Sequence, residues 1–273
     1  MYGSAAAAQG KNYADEMDGY SSRVTAELDE ADERAKRTLK NVYLTVYNAL
    51  MFIAFSYVFW SLSYRMYSKG PAVYEDSVDQ LGVPMAVIQI VAWLEVAHAL
   101  MRLVPSNVTA TIAQQWGRSF ILFFVILAHE GLAESPHVHW LFFVWSSIEI
   151  IRYPYYMVKS TEQEASKVMT WLRYSAWIPL YPAGMILEMS IVNAAIPLFE
   201  ISRKYSFSLP NVWNFSFEFG TFLRGYLILY PCACLFQLWH MWEQRKRALG
   251  VGGKKIGGGV KKNNGVKTKR KTA

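Results

Sequence analysis

The chain has 273 residues, of which 53% are hydrophobic and 15% aromatic, and its net charge is +7. So much Phe, Trp and Tyr excludes a disordered chain. The tail from 248 to 273 holds eight Lys or Arg and no acid; taking these from +7 leaves −1 for the rest, so the basicity does not mark a nucleic-acid-binding surface.

The first 40 residues carry eight acids and six bases and no apolar core. They read as a polar cytosolic region (1–40) rather than a cleavable signal peptide, and the first apolar segment must itself direct insertion. Apolar segments of about 20 residues, enough to cross roughly 30 Å of hydrocarbon, then follow at 41–66, 83–104, 112–128, 140–158, 168–187 (with an apolar continuation to 199) and 220–242. The expected fold is all-α, a polytopic bundle of six transmembrane helices over 41–245, with a disordered basic cytosolic tail over 246–273.

Lys and Arg cluster before the first segment, around the second loop, around the loop after the fourth, and after the last, which puts both termini in the cytosol. The final Lys269-Arg270-Lys271-Thr272-Ala273 matches a dilysine retrieval pattern of the endoplasmic reticulum. Two glycosylation sequons occur, Asn107-Val108-Thr109 and Asn214-Phe215-Ser216, and this topology places the first in the cytosol. Cys232 and Cys234, two apart in an apolar segment, suit neither a disulfide nor a metal site and read as packing residues.

An ionisable group inside a transmembrane helix costs about 2.5 kcal/mol or more on insertion scales, which makes each one a candidate functional residue. Glu188 ends a run from Trp177 with no other charge. Tyr181 lies seven residues earlier, two turns and roughly 10 Å along one helix face, so the two address one cleft as a carboxyl and a phenol able to exchange protons with a small group between them. Pro182 and Gly184 loosen the helix between them. Glu95 and His98, three apart on one helix face, are expected either to form a second buried polar pair that orients a catalytic group or to serve a structural hydrogen-bond network between helices, and Glu149 with Arg152 has ion-pair spacing. The histidines at 129, 137 and 139 lack ligand spacing, and no phosphate-cradling glycine loop is present, so neither metal nor organic cofactor is expected.

The runs Leu172-Arg173-Tyr174 and Leu180-Tyr181-Pro182-x-Gly184-x-x-x-Glu188 resemble the signature of the 3-hydroxyacyl-CoA dehydratase family, also described as protein-tyrosine-phosphatase-like. Tyr43-Leu44, Tyr47-Asn48, Leu94-Glu95-Val96-x-His98, Trp145 and Glu149-Ile150-Ile151-Arg152-Tyr153 add to the resemblance, which covers about 41–245 in order. Two departures stand out: Arg102-Leu103-Val104-Pro105-Ser106 where the family often has Gly-Leu-Val-Arg-Ser, and Gln114-Gln115-Trp116-Gly117-Arg118 where it often has Gln-x-x-Ser-Arg.

The resemblance implies six spans, the endoplasmic reticulum, and Tyr181 and Glu188 as the catalytic pair in dehydration of a long-chain 3-hydroxyacyl-CoA, the third step of very-long-chain fatty acid elongation. Which of the two is acid and which base stays open. The implied partners are membrane lipids and the other elongation enzymes: the elongase, the ketoacyl-CoA reductase and the enoyl-CoA reductase. Arg152 and Arg173, on the expected cytosolic side, are candidates for the CoA phosphates. A phosphatase needs a nucleophilic Cys before a glycine-containing loop and Arg, which the stretch from Cys232 lacks. A transporter would show an internal repeat, and none is visible. A noncatalytic scaffold for elongation enzymes is the alternative.

Overall fold

The structure is a computed structural model that describes residues 2–210 and 214–250. The lysine pattern near 270 and most of the expected tail lie outside the described residues. Eight α-helices occur among the described residues: α1 (Tyr2–Lys69), α2 (Val73–Ala92), α3 (Leu94–Leu100), α4 (Val108–Ser119), α5 (Pro136–Ser160), α6 (Lys167–Ser175), α7 (Trp177–Ser202) and α8 (Phe219–Leu249). The described residues contain no β-strand, only an isolated antiparallel bridge between Phe207 and Phe217 in the loop before α8.

No proline precedes Pro71, and α1 runs uninterrupted through the polar first 40 residues into the apolar stretch. Its polar part is supported by pairs at helical spacing, Asp32 with Lys36 and Glu30 with Arg34. Gly70, at φ +58°, and Pro71 then end it. Leu44, Asn48, Met51, Phe55, Val58 and Leu62 alternate by four and three residues and are all buried. That is the seam of a helix packed lengthwise on a partner, and the partner is α5. Val46, Leu50, Ile53, Tyr57 and Trp60 on the same helix are more than half exposed. A helix apolar on every face while one stripe is buried has its other faces in lipid.

Four helical stretches, Gly19–Ala72, Asp76–Leu100, Lys167–Ser202 and Phe219–Leu249, are long and apolar enough to cross a membrane. The protein is a polytopic helical membrane protein. The other two expected spans, α5 and the segment 108–126, are not among these four. They carry Gln114, Gln115, Arg118, His137, His139, Glu149 and Arg152, and α5 lies in the middle of the bundle against α1, α2 and α7, where its polar groups find partners among helices.

Several boundaries differ from those expected. The loop expected before 83 is helical from Val73, with Pro84 inside α2. The third apolar segment divides into α4 and a π-helical stretch, Phe120–Ile126, in which the Leu127 amide reaches back to the Leu122 carbonyl. The fifth divides at Ala176, because Pro179 cannot donate to the Ser175 carbonyl four residues back. Asn107 of the first sequon caps α4: its side-chain oxygen accepts from the backbone amides of Thr109 and Ala110.

Candidate active site

The expected pair sits on α7, whose Pro182 leaves the Ile178 carbonyl without its helical donor. The structure brings Tyr181 and Glu188 to the wall of one cavity of about 210 Å³, with Gly184 buried between them. The Tyr181 hydroxyl has no hydrogen-bond partner among the described residues. Glu188 is held on both oxygens. The Trp145 indole N–H of α5 donates to Oε1 at 3.1 Å, and the Tyr230 hydroxyl of α8 donates to Oε2.

Arg118, at the end of α4, lines the same cavity. One terminal nitrogen lies 2.5 Å from Glu149 Oε1, and the guanidinium stands over the Trp145 ring, 5.6 Å from its centroid. Glu149 is fully buried, and its other oxygen lies 2.6 Å from Arg152 Nε. Arg152 in turn meets Glu95 Oε1 at 2.6 Å, which also accepts from the Tyr153 hydroxyl at 2.7 Å. Two carboxylates and two guanidiniums thus alternate from α3 through α5 to α4, each desolvated charge facing an opposite one.

These placements bear on three sequence expectations. Arg152, expected at the CoA phosphates, is occupied on two nitrogens by Glu95 and Glu149, so it ties helices together instead of facing a phosphate. Glu95 and His98 do not pair with each other: His98 pairs with the Tyr43 hydroxyl at 2.8 Å and lies edge-on to Tyr47, while Glu95 turns to Arg152 and Tyr153. Cys234 is buried beside the cavity, but Cys232 is exposed. Arg173, the second phosphate candidate, is half-buried; its guanidinium donates to the Tyr156 hydroxyl at 2.8 Å.

Three residues of the site escaped the sequence reading. Arg118 counts there as one of the positive charges around the second loop, although Gln115, Arg118 and Ser119 stand at helical spacing on one face. Trp145 enters only through the resemblance, and Tyr230 carries no sequence signal beyond its place before Pro231. Among the described residues no cluster of three or more His, Cys, Asp or Glu side chains is arranged to hold a metal ion.

Residues 89–251 match the family model described as protein tyrosine phosphatase-like protein, PTPLA. The chain is 36% identical over 212 residues to a protein of Gallus gallus named very-long-chain (3R)-3-hydroxyacyl-CoA dehydratase, covering 78% of this chain and 58% of that one. It is 35% identical over 227 residues to a Homo sapiens protein named very-long-chain (3R)-3-hydroxyacyl-CoA dehydratase 3, covering 82% and 62%. A protein of Oryza sativa subsp. japonica, named very-long-chain (3R)-3-hydroxyacyl-CoA dehydratase PASTICCINO 2B, is 33% identical over 212 residues, covering 77% and 94%. The chain thus spans about three-fifths of the length of these vertebrate relatives and nearly all of the plant one. No solved structure matches it.

Proposed function

The chain belongs to the protein tyrosine phosphatase-like family, and from that premise we propose that it dehydrates a long-chain 3-hydroxyacyl-CoA to the trans-2-enoyl-CoA. The observation that carries this reading is one cavity lined by a phenol with no hydrogen-bond partner among the described residues, a carboxylate held by neutral donors, and a guanidinium. Dehydration needs these three kinds of group: a base for the C2 proton, an acid for the departing C3 hydroxyl, and positive charge near the thioester oxygen as enolate character develops.

Glu188 takes the proton from C2 as the C2–C3 double bond forms, and Tyr181 protonates the hydroxyl leaving C3, so that water departs. Arg118 faces the thioester oxygen; Glu149 and the Trp145 ring fix its plane, which spares reorganisation during the reaction. A cavity of about 210 Å³ suits only the reacting end of the substrate. The acyl tail then lies along apolar helix faces in lipid, and the CoA head lies toward the cytosolic ends of α5 and α6, near Arg173. On this reading the chain has six spans, with both termini cytosolic in the endoplasmic reticulum membrane, and works beside the elongase, the ketoacyl-CoA reductase and the enoyl-CoA reductase.

The test is conversion of a long-chain 3-hydroxyacyl-CoA by the purified protein and by Tyr181→Phe and Glu188→Gln, with thermal unfolding in detergent as the folding control. Each variant is expected to lose about 100-fold or more in kcat while unfolding as the wild type does. A folded wild type that produces no enoyl-CoA would favour a noncatalytic scaffold.

A further inference from the structure

The sequence pairs Glu188 with Tyr181, seven residues away on the same helix. In the structure the hydroxyl bonded to Glu188 belongs instead to Tyr230 on α8. Glu188 therefore stands between helices, taking one donor from α5 and one from α8.

Both donors are neutral, and that has a consequence. A glutamate side chain has three rotatable bonds, and a carboxylate in an apolar cavity turns to the nearest cation. That cation is Arg118 on the same cavity wall, and a direct ion pair would occupy the lone pairs a base needs. Arg118 is instead engaged by Glu149 and by the face of Trp145, while the edge of that same indole holds Glu188. Trp145 thus touches both groups, its face toward Arg118 and its edge toward Glu188. Tyr230 completes the restraint from the other side, its ring stacked on Tyr226 at 5.0 Å between centroids.

We infer that Tyr230 is a positioning residue: together with Trp145 it holds the Glu188 carboxylate away from Arg118 and aims its remaining lone pairs at the substrate. This rests on the dehydratase reading, with Glu188 as base. Tyr181, whose hydroxyl has no hydrogen-bond partner among the described residues, then acts on the substrate, so the two phenols of the cavity have different tasks.

The experiment compares Tyr230→Phe, which keeps the ring and removes the donor, with Tyr226→Phe as control. Tyr230→Phe is expected to lower kcat tenfold or more with KM within about twofold, at unchanged thermal unfolding, and Tyr226→Phe to match the wild type. Wild-type kcat in a folded Tyr230→Phe overturns the inference. So does a raised KM with kcat intact, which would make Tyr230 a substrate contact. Should Tyr230→Phe fail to fold, Trp145→Phe removes the other donor and is expected to lower kcat in the same way; a wild-type kcat there overturns the inference.

A second measurement needs no turnover, so it separates failure of this inference from failure of the dehydratase reading. Dicyclohexylcarbodiimide reacts when a carboxyl O–H adds across one C=N bond, giving an O-acylisourea with the proton on nitrogen. A carboxylate paired with a guanidinium holds no proton to deliver and has its lone pairs occupied. Labelling mapped to Glu188 by mass spectrometry is expected to be several-fold slower in Tyr230→Phe, where Glu188 is released to turn to Arg118, than in wild type. Equal rates overturn the inference whatever the activity, and an inactive wild type with the expected labelling change would sink only the dehydratase reading.

Discussion

Glu149 is fully buried between Arg118 and Arg152, and a carboxylate taken out of water this far is tolerable only with both partners in place. Glu149→Ala leaves two desolvated guanidiniums short of a counter-charge and is expected to cost about 3–5 kcal/mol of stability, read from denaturant unfolding in detergent. Gly184 offers a gentler test. A Cβ there would meet only Val144 Cγ1 at 3.6 Å, an ordinary contact, so Gly184→Ala is expected to fold with a Tm within about 2 °C of wild type. Gly184→Leu puts three more carbons into the cavity between Tyr181 and Glu188 and is expected to raise KM or abolish turnover without unfolding the protein. Kinetics on the two variants beside their melting curves checks both statements.

At the scale of elements, the seam on α1 and the charges on α5 do different work. Lipid tails are as apolar as a leucine, so burying Leu62 against α5 contributes through close packing more than through escape from water. Leu62→Ala, fully buried, is expected to destabilise by about 2–4 kcal/mol through the cavity it leaves. Leu50→Ala, on the exposed face of the same helix, is expected to change stability by less than about 0.5 kcal/mol. Equal effects in thermal or denaturant unfolding would deny α1 a distinct packed face. The apolar runs of α1 and α8 were legible in the sequence, since apolar length with at most one charge suffices for both, whereas α8 continues through Glu243, Arg245, Lys246 and Arg247 to Leu249, past the expected end at 242. The helicity of the polar first 40 residues was not read, because a polar stretch beside a membrane segment gives no burial pattern, and only its freedom from proline and its i,i+4 ion pairs point to a helix.

For the whole molecule, the basic residues predict one sidedness, and labelling in sealed microsomes tests it. With Cys232 and Cys234 replaced, a membrane-impermeant maleimide is expected to reach a cysteine placed at Glu30 or Arg247 without permeabilisation, and one placed at Glu134 only after it. Labelling at Glu134 in sealed vesicles would reverse or break the six-span topology, as would a glycan on Asn107, whose side chain the structure uses to cap α4.

The sequence by itself determined that the chain is helical and built for lipid, that its basic charge belongs to the tail, and that Tyr181 and Glu188 share one face of one helix. Those properties live in composition, in local periodicity and in spacings of about two turns or less. Only the tertiary structure decided that Tyr230 and Trp145 hold Glu188, that Arg118 lines the cavity, that Arg152 is spent between two carboxylates, and that Glu95 and His98 turn apart. Apart from Glu149–Arg152, three apart on α5, these contacts join residues 42 to 58 positions apart on different helices, and a buried charge announces that it needs a partner without saying which helix supplies it.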